Sequence, residues 1–342
     1  MRLEIIKSAP KKSAKSVPKT PARPRSSALA AARATSVLIP GATKSALKLT
    51  ATQREYVQSL LEDYRCDADL WTFPDIERKK WLSEIDEQSG LNSLECLRQN
   101  VRRQQQQLND EECEALVEMD LFTIDLARRG LARRISFNLL SDLRTSLSLS
   151  IRIKWLERRT YRRKGASYED AWIILRALAV KDVAVARHLL DFSDEPLSGA
   201  GHPPGKLLYN TLFAIFRQDQ KLQNKLVGQL AKQKTPEAYK AVLNVLGGIL
   251  TEDPPTIAAG LTQVLATFRR IPLNDDEKVI CLVAHGLAEL ALKKNGKLLD
   301  NFDVAQEMPW DAAFFQWVRN ESSSPVYPEL ARQSVLLDKW LN

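Results

Sequence analysis

Apolar residues recur along most of this chain every three or four positions, the spacing that lines one face of an α-helix. The first such pattern starts near Thr52. Thr52 and Glu55 are spaced as a capping box, and Tyr56, Val57, Leu60, Leu61 and Tyr64 follow. Pro74 suits the first turn of a second helix carrying Ile76, Trp81, Leu82 and Ile85, with Gly90 as its stop. Ser93 caps a third helix, and Asn109 with Glu112 opens a fourth that reaches Gly130. A long pattern then runs from Leu131 to Arg163 and ends at Gly165.

The second half repeats the scheme. Ser167 and Asp170 open a helix through Trp172, Ile173, Leu175 and Leu178, and Asp182 opens the next, with Val183, Val185, Leu189 and Leu190. Ser193 to Gly205 is rich in Pro and Gly and reads as a loop. Helical spacing resumes over Lys206 to Phe216 and Leu222 to Leu230. Thr235 caps a helix with Pro236 at its first position, and Pro254-Pro255 starts another that runs to Arg270. Asn274 and Glu277 cap a long helix ending at Gly296, and Pro309 opens one carrying Trp310, Phe314, Phe315 and Trp317. No run alternates strictly with β-branched enrichment, so the expected fold class is all-α. From residue 167 the helices pair at intervals of roughly 35–40 residues, which predicts stacked helical hairpins in an irregular α-solenoid-like domain.

Residues 1–48 contain five prolines and no aromatic residue. They cannot bury enough apolar surface to offset the entropy of ordering, which predicts a disordered basic N-terminal tail. The expected organisation is a tail over 1–50, an N-terminal helical region over 51–165 and a C-terminal helical-hairpin domain over 166–342. The short apolar start (Leu3, Ile5, Ile6) precedes the lysines, the reverse of a secretory signal, and the prolines oppose an amphipathic transit helix. No stretch reaches the roughly 18–20 apolar residues of a membrane span. The expected location is cytoplasmic, with no membrane association. Cys66, Cys96, Cys113 and Cys281 form no Cys-x-x-Cys pair and read as reduced thiols in helices.

The formal charge of +8 is unevenly spread. Residues 1–50 hold eleven Lys/Arg against one acid, a net of +10. Residues 51–124 carry −9 and residues 125–164 carry +9, while the remainder is near neutral. Two readings of the middle blocks stand side by side. The acidic and basic blocks pair when their helices fold back on each other. Alternatively the Arg/Lys of 125–164, among them Arg128, Arg129, Arg133, Arg134, Arg144 and Arg152, form a face for nucleic acid.

Chemistry is sparse. Gly199-Ala200-Gly201-His202-Pro203-Pro204-Gly205-Lys206 has neither phosphate-loop nor dinucleotide spacing, because Ala200, Pro204 and Leu207 stand where those loops need Gly, Gly and Ser/Thr. It reads as an interhelical loop. Of the three histidines, His285 lies four residues from Cys281. The readings there are a buried, hydrogen-bonded imidazole or half of a zinc site. His188 and Asp191 read as a surface helix pair. Asp275-Asp276-Glu277 suits the first turn of a helix rather than an acid–base pair. With no nucleophile elbow or metal motif, the expectation is a non-enzyme without cofactor, catalytic site or metal site. The segment Pro309 to Trp317 is rich in aromatic residues, which reads as core or as a partner-binding surface. The residues taken as partner-binding are Asp303, Glu307, Trp310, Asp311 and Trp317.

Tyr168 to Glu321 resembles the immunity protein 49 family of bacterial polymorphic-toxin systems. The similarity lies in Ala171-Trp172-Ile173-Ile174-Leu175-Arg176-Ala177-Leu178-Ala179 with Ala186-Arg187-His188-Leu189-Leu190, in Phe268-Arg269-Arg270, and in the Leu282 to Gly296 helix ahead of Pro309-Trp310. The resemblance implies a cytoplasmic protein that binds one cognate toxin and neutralises it without catalysis. On that implication the partner is a toxin protein. The alternative expectation is a helical scaffold or adaptor whose basic tail binds nucleic acid.

Overall fold

A computed structural model describes residues 49–63, 126–161, 166–199, 201–232, 235–268, 279–300, 302–304 and 308–321, all within one compact unit, Ala42–Asn342. The expected tail up to residue 48 and the helices expected around Ile76, Leu94 and Glu112 lie outside the described residues. So do Asn274, Asp275, Asp276, Glu277 and Glu307. The described residues form helices and no strand, as the periodicity requires.

The helices are α1 (Ala51–Asp63), α2 (126–137), α3 (Leu140–Tyr161), α4 (Asp170–Ala179), α5 (Val183–Leu190) and α6 (Pro203–Phe216). There follow α7 (Gln220–Leu230), α8 (Glu237–Thr251), α9 (Pro254–Thr267), α10 (Leu282–Lys294) and α11 (Ala312–Asn320). Among the described residues none is long and apolar enough to cross a membrane.

Several boundaries differ from the sequence expectation, each for a local reason. The capping box of α1 is Thr50 and Gln53, which satisfy each other's backbone N–H at 2.9 and 3.3 Å, two residues ahead of the Thr52/Glu55 pair. Gly130 does not end a helix. It lies inside α2, where a Cβ would collide with the Ser146 side chain of α3. The break comes instead at Asn138, whose φ of 59° splits the expected 131–163 helix into α2 and α3. Pro203-Pro204-Gly205, expected as loop, forms the first turn of α6 because His202 Nδ1 accepts from Gly205 N at 3.0 Å. Pro236, not Thr235, precedes α8. The chain bends at 279–280, so α10 starts only at Leu282. Asp311 caps α11 two residues beyond the expected Pro309 start, accepting from Phe314 N at 3.0 Å.

Two helices are buried nearly all round. Eight of ten α4 residues and every α10 residue from Leu282 to Ala291 are buried, as expected for helices apolar on all sides. They pack on each other at the centre. The contact is backbone-close: a Cβ on Gly286 would sit 1.9 Å from the Leu175 carbonyl oxygen. Around this pair α3, α5 and α6 pack on α4 while α8 and α9 pack on α10, and the α8/α9 hairpin is itself tight at Gly248 and Gly260. The return of α10 onto α4 adds a long-range contact to the stacked-hairpin scheme. Trp155, Tyr209 and Phe314 are fully buried in the resulting core.

Two glycine variants separate packing from propensity. Gly286→Ala is expected to cost about 1–3 kcal/mol or more by overpacking the α4–α10 crossing. Gly228→Ala on exposed α7, with nothing within 4 Å of the new Cβ, is expected to raise stability by about 0.5–1 kcal/mol. Denaturant midpoints of the two variants check both signs.

Candidate protein-interaction site

The described arginines of the 125–164 block are directed largely into the protein. Arg134, Arg144 and Arg152 are buried. Arg144 Nε donates to the Val180 carbonyl at 3.0 Å. Arg152 Nε donates to Asp182 Oδ2 at 2.6 Å, and Ser148 Oγ donates to the same oxygen at 2.9 Å. Arg133 pairs with Asp142. These residues therefore do not present the alternative nucleic-acid face. Among the described residues their carboxylate partners are Asp142, Asp182 and Asp311, while residues 64–124 of the acidic block lie outside the described ones. Asp182 does precede α5, but it makes no side-chain cap, because α3 has taken its carboxylate.

Between the two residues that α3 holds lies Lys181, with a φ of 58°. Its Nζ donates to the carbonyls of Arg319 at 2.8 Å and Glu321 at 3.1 Å. An ammonium there satisfies carbonyls that the end of α11 leaves unpaired and complements the helix dipole. Nearby Glu289 of α10 is buried, and burial raises its carboxyl pKa against the opposing attraction of Lys293, Lys181 and Arg319.

The start of α11 is held just as firmly. Arg134 of α2 clasps Asp311 through one edge of its guanidinium, Nε to Oδ2 at 2.9 Å and Nη2 to Oδ1 at 3.1 Å. Both residues are buried, and such a bidentate pair is the arrangement that keeps two buried charges tolerable. The Asp311 carbonyl lies 3.3 Å from His285 Nε2, and the Cys281 carbonyl lies 2.9 Å from His285 Nδ1. A neutral imidazole carries one N–H, and the shorter contact places it on Nδ1. Burial pushes the His285 pKa below its ordinary 6.5, opposed by the two carbonyls and the Asp311 charge. Trp310 stacks on the imidazole, with centroids 4.1 Å apart. His285 is thus the buried, hydrogen-bonded histidine, with both nitrogens facing carbonyls rather than Cys281 sulfur.

Held at both ends, α11 sorts its residues by angle. Phe314 and Val318 face the core. Phe315 and Arg319 form one flank, with the guanidinium 5.9 Å from the ring centroid, and Trp317 lies on the other. Ala312, Gln316 and Asn320 point outward and are exposed. Of the residues expected to bind a partner, Asp303 is exposed, while Trp310 and Trp317 are half-buried against the core. Asp311 is corrected: it is 2 % exposed and its carboxylate is taken by Arg134 and the helix cap, so it positions α11 and offers no surface. Glu307 lies outside the described residues. Phe302 and Arg319, which sequence reasoning passed over, join the same surface, as does Phe315 of the aromatic segment. Phe302 meets Trp310 at 5.5 Å and Phe315 meets Trp310 at 4.8 Å. A four-residue helical spacing from Asp311 to Phe315 to Arg319 was the available signal.

The other sequence candidates resolve locally. Lys206 Nζ bonds the Gly199 carbonyl, and the space beside Gly205 is filled by the Tyr168 ring, so the glycine loop closes on itself. His188 packs on Trp155 and Phe192, while Asp191 pairs with Arg217 at 3.0 Å instead. Among the described residues no group of three His, Cys, Asp or Glu side chains is arranged to hold a metal. No protein-family model, curated protein or solved structure matches the chain.

Because the fold holds His285 neutral, the unfolded chain takes up the proton first on acidification. Stability from this site is then lost as pH falls below about 6.5. Urea unfolding at a series of pH values is expected to show a shallower acid-side loss for His285→Asn than for wild type. Parallel curves would mean that His285 has no part in the proton linkage.

Proposed function

We propose that this chain is a non-enzymatic binding protein that neutralises a cognate bacterial toxin effector in the cytoplasm, with α11 and the segment before it as its contact surface. The observation that carries the binding role is the composition of that surface. Over its nine residues α11 has one charged side chain, Arg319. Its outward residues Ala312, Gln316 and Asn320 are neutral, and Phe315 and Trp317 flank them half-exposed. Interface centres are depleted in charge and enriched in Trp, Phe and Arg, and aromatic residues and Arg supply most binding hot spots. The ties at Asp311 and Lys181 hold the helix rigid, which lowers the entropy lost on binding. The toxin as partner comes from the resemblance of residues 168–321 to the immunity protein 49 family.

A second reading, a helical scaffold or adaptor whose tail binds nucleic acid, is favoured by one specific observation. Arg134, Arg144 and Arg152 are buried and bonded inside the protein, so among the described residues they add little to a basic face, while the sequence of residues 1–50 carries a net +10.

Affinity purification from nuclease-treated native lysate is expected to recover one stoichiometric partner with a toxin-like domain. Trp317→Ala is expected to weaken that complex by about 2 kcal/mol, roughly thirtyfold in Kd by calorimetry. Unchanged affinity with lowered stability would make Trp317 a packing residue only. If the tail reading holds instead, deletion of residues 1–50 removes most retention on nucleic acid and flattens its salt dependence. Equal retention of the full-length and truncated chains would rule it out.

A further inference from the structure

The start of α6 leaves one backbone donor to be satisfied. In its first turn Pro203 and Pro204 carry no N–H, and Lys206 N donates to the His202 carbonyl at 3.0 Å. Gly205 N remains, and His202 Nδ1 accepts from it at 3.0 Å. An imidazole nitrogen accepts only when it bears no proton, so the neutral ring carries its proton on Nε2. The caps of α7, α9 and α11 are aspartates, which keep an acceptor oxygen in either protonation state. The cap of α6 does not have that property. A proton on Nδ1 sets donor against donor and puts a positive charge at the positive end of the helix.

The same ring joins three parts of the fold. It stacks on Tyr168, ahead of α4, with centroids 5.1 Å apart, and meets Tyr239 of α8 at 5.0 Å. Tyr239 in turn meets Trp172 of α4 at 5.2 Å. A Cβ at Gly205 would collide with both the Tyr168 ring and His202 Nδ1, so glycine permits this approach. Just before the ring, Gly199 and Gly201 have φ values of 79° and 138° and open space beside them, so the chain there can turn. Of the charged groups on these elements, Asp170 accepts from Ser167 N and Lys206 Nζ donates to the Gly199 carbonyl. Glu169 adjoins Tyr168, and Glu237 and Lys240 flank Tyr239. Burial pushes the Tyr239 hydroxyl pKa up, so that phenol faces the imidazole uncharged. Among the described residues no carboxylate pairs with His202 to hold a protonated ring in place. We infer that His202 is a proton-operated latch: neutral, it caps α6 and pins its start against Tyr168 and Tyr239; protonated, it leaves the cap and releases the chain ahead of α6.

The latch involves neither α11 nor a partner, so its failure leaves the proposed function standing. Amide exchange and the His202 ring resonances of the full-length chain, followed by NMR from about pH 8 to about pH 5, test it in the window where imidazoles change charge. Each exchange rate is compared with that of His202→Asn at the same pH, because asparagine caps a helix without titrating. Protection of the Gly205 amide in wild type is expected to fall about tenfold relative to the variant, in step with protonation of the ring. The Thr256 amide, capped by Asp253, is expected to hold its protection and so to separate local release from general acid unfolding. A Gly205 amide that stays protected while the ring titrates overturns the inference. So does a ring that stays neutral throughout, or an equal fall in wild type and His202→Asn.

Discussion

The architecture turns on the need to pair guanidinium groups buried on α3. Arg144 and Arg152 both lie inside the protein, where an unpaired charge is prohibitively costly. The turn between α4 and α5 satisfies both, with the Val180 carbonyl for one and the Asp182 carboxylate for the other. The residue between them, Lys181, is thereby aimed at the end of α11. Three consecutive residues thus lock together α3, the α4–α5 hairpin and α11. The left-handed φ at Lys181 is a strain that this geometry over-determines.

The opposite end of α11 follows the same logic with different chemistry. Asp311 caps the helix, pairs with Arg134 and offers its carbonyl toward His285. His285 belongs to α10, whose close crossing on α4 is permitted by Gly286. The position of α11 is therefore inherited from the central α4–α10 pair through one imidazole and from α2 through one ion pair. A short helix with a two-residue buried stripe has too little apolar area to hold its place unaided. Polar ties at both ends make it a fixed platform for Trp317, Phe315 and Arg319.

The same pairing changes what the net charge means. A cluster of arginines in sequence suggests a nucleic-acid face, yet a guanidinium clasped by a buried carboxylate projects little field into solvent.

Much of the architecture was legible from periodicity and punctuation. The all-α class and the run of helices after residue 167 follow from rules that act within a few residues, whereas the capping aspartates Asp219 and Asp253 before α7 and α9 went unread although the same rules cover them. The aromatic richness of 309–317 marked the candidate surface in the same way. Local rules misjudged Gly130 and Asp311, because each answers to a distant neighbour: Ser146 on the next helix, and Arg134 lying 177 residues away. Asp182 opens α5 as expected, but its carboxylate goes to Arg152 on α3. An aspartate before a helix looks the same in sequence whether it caps, pairs or does both. Sequence by itself determined which segments are helical, since backbone hydrogen bonding and apolar periodicity are local. Only the tertiary structure decided which charges are buried and which remain exposed, because the cost of burying a charge depends on the partners that the fold brings to it.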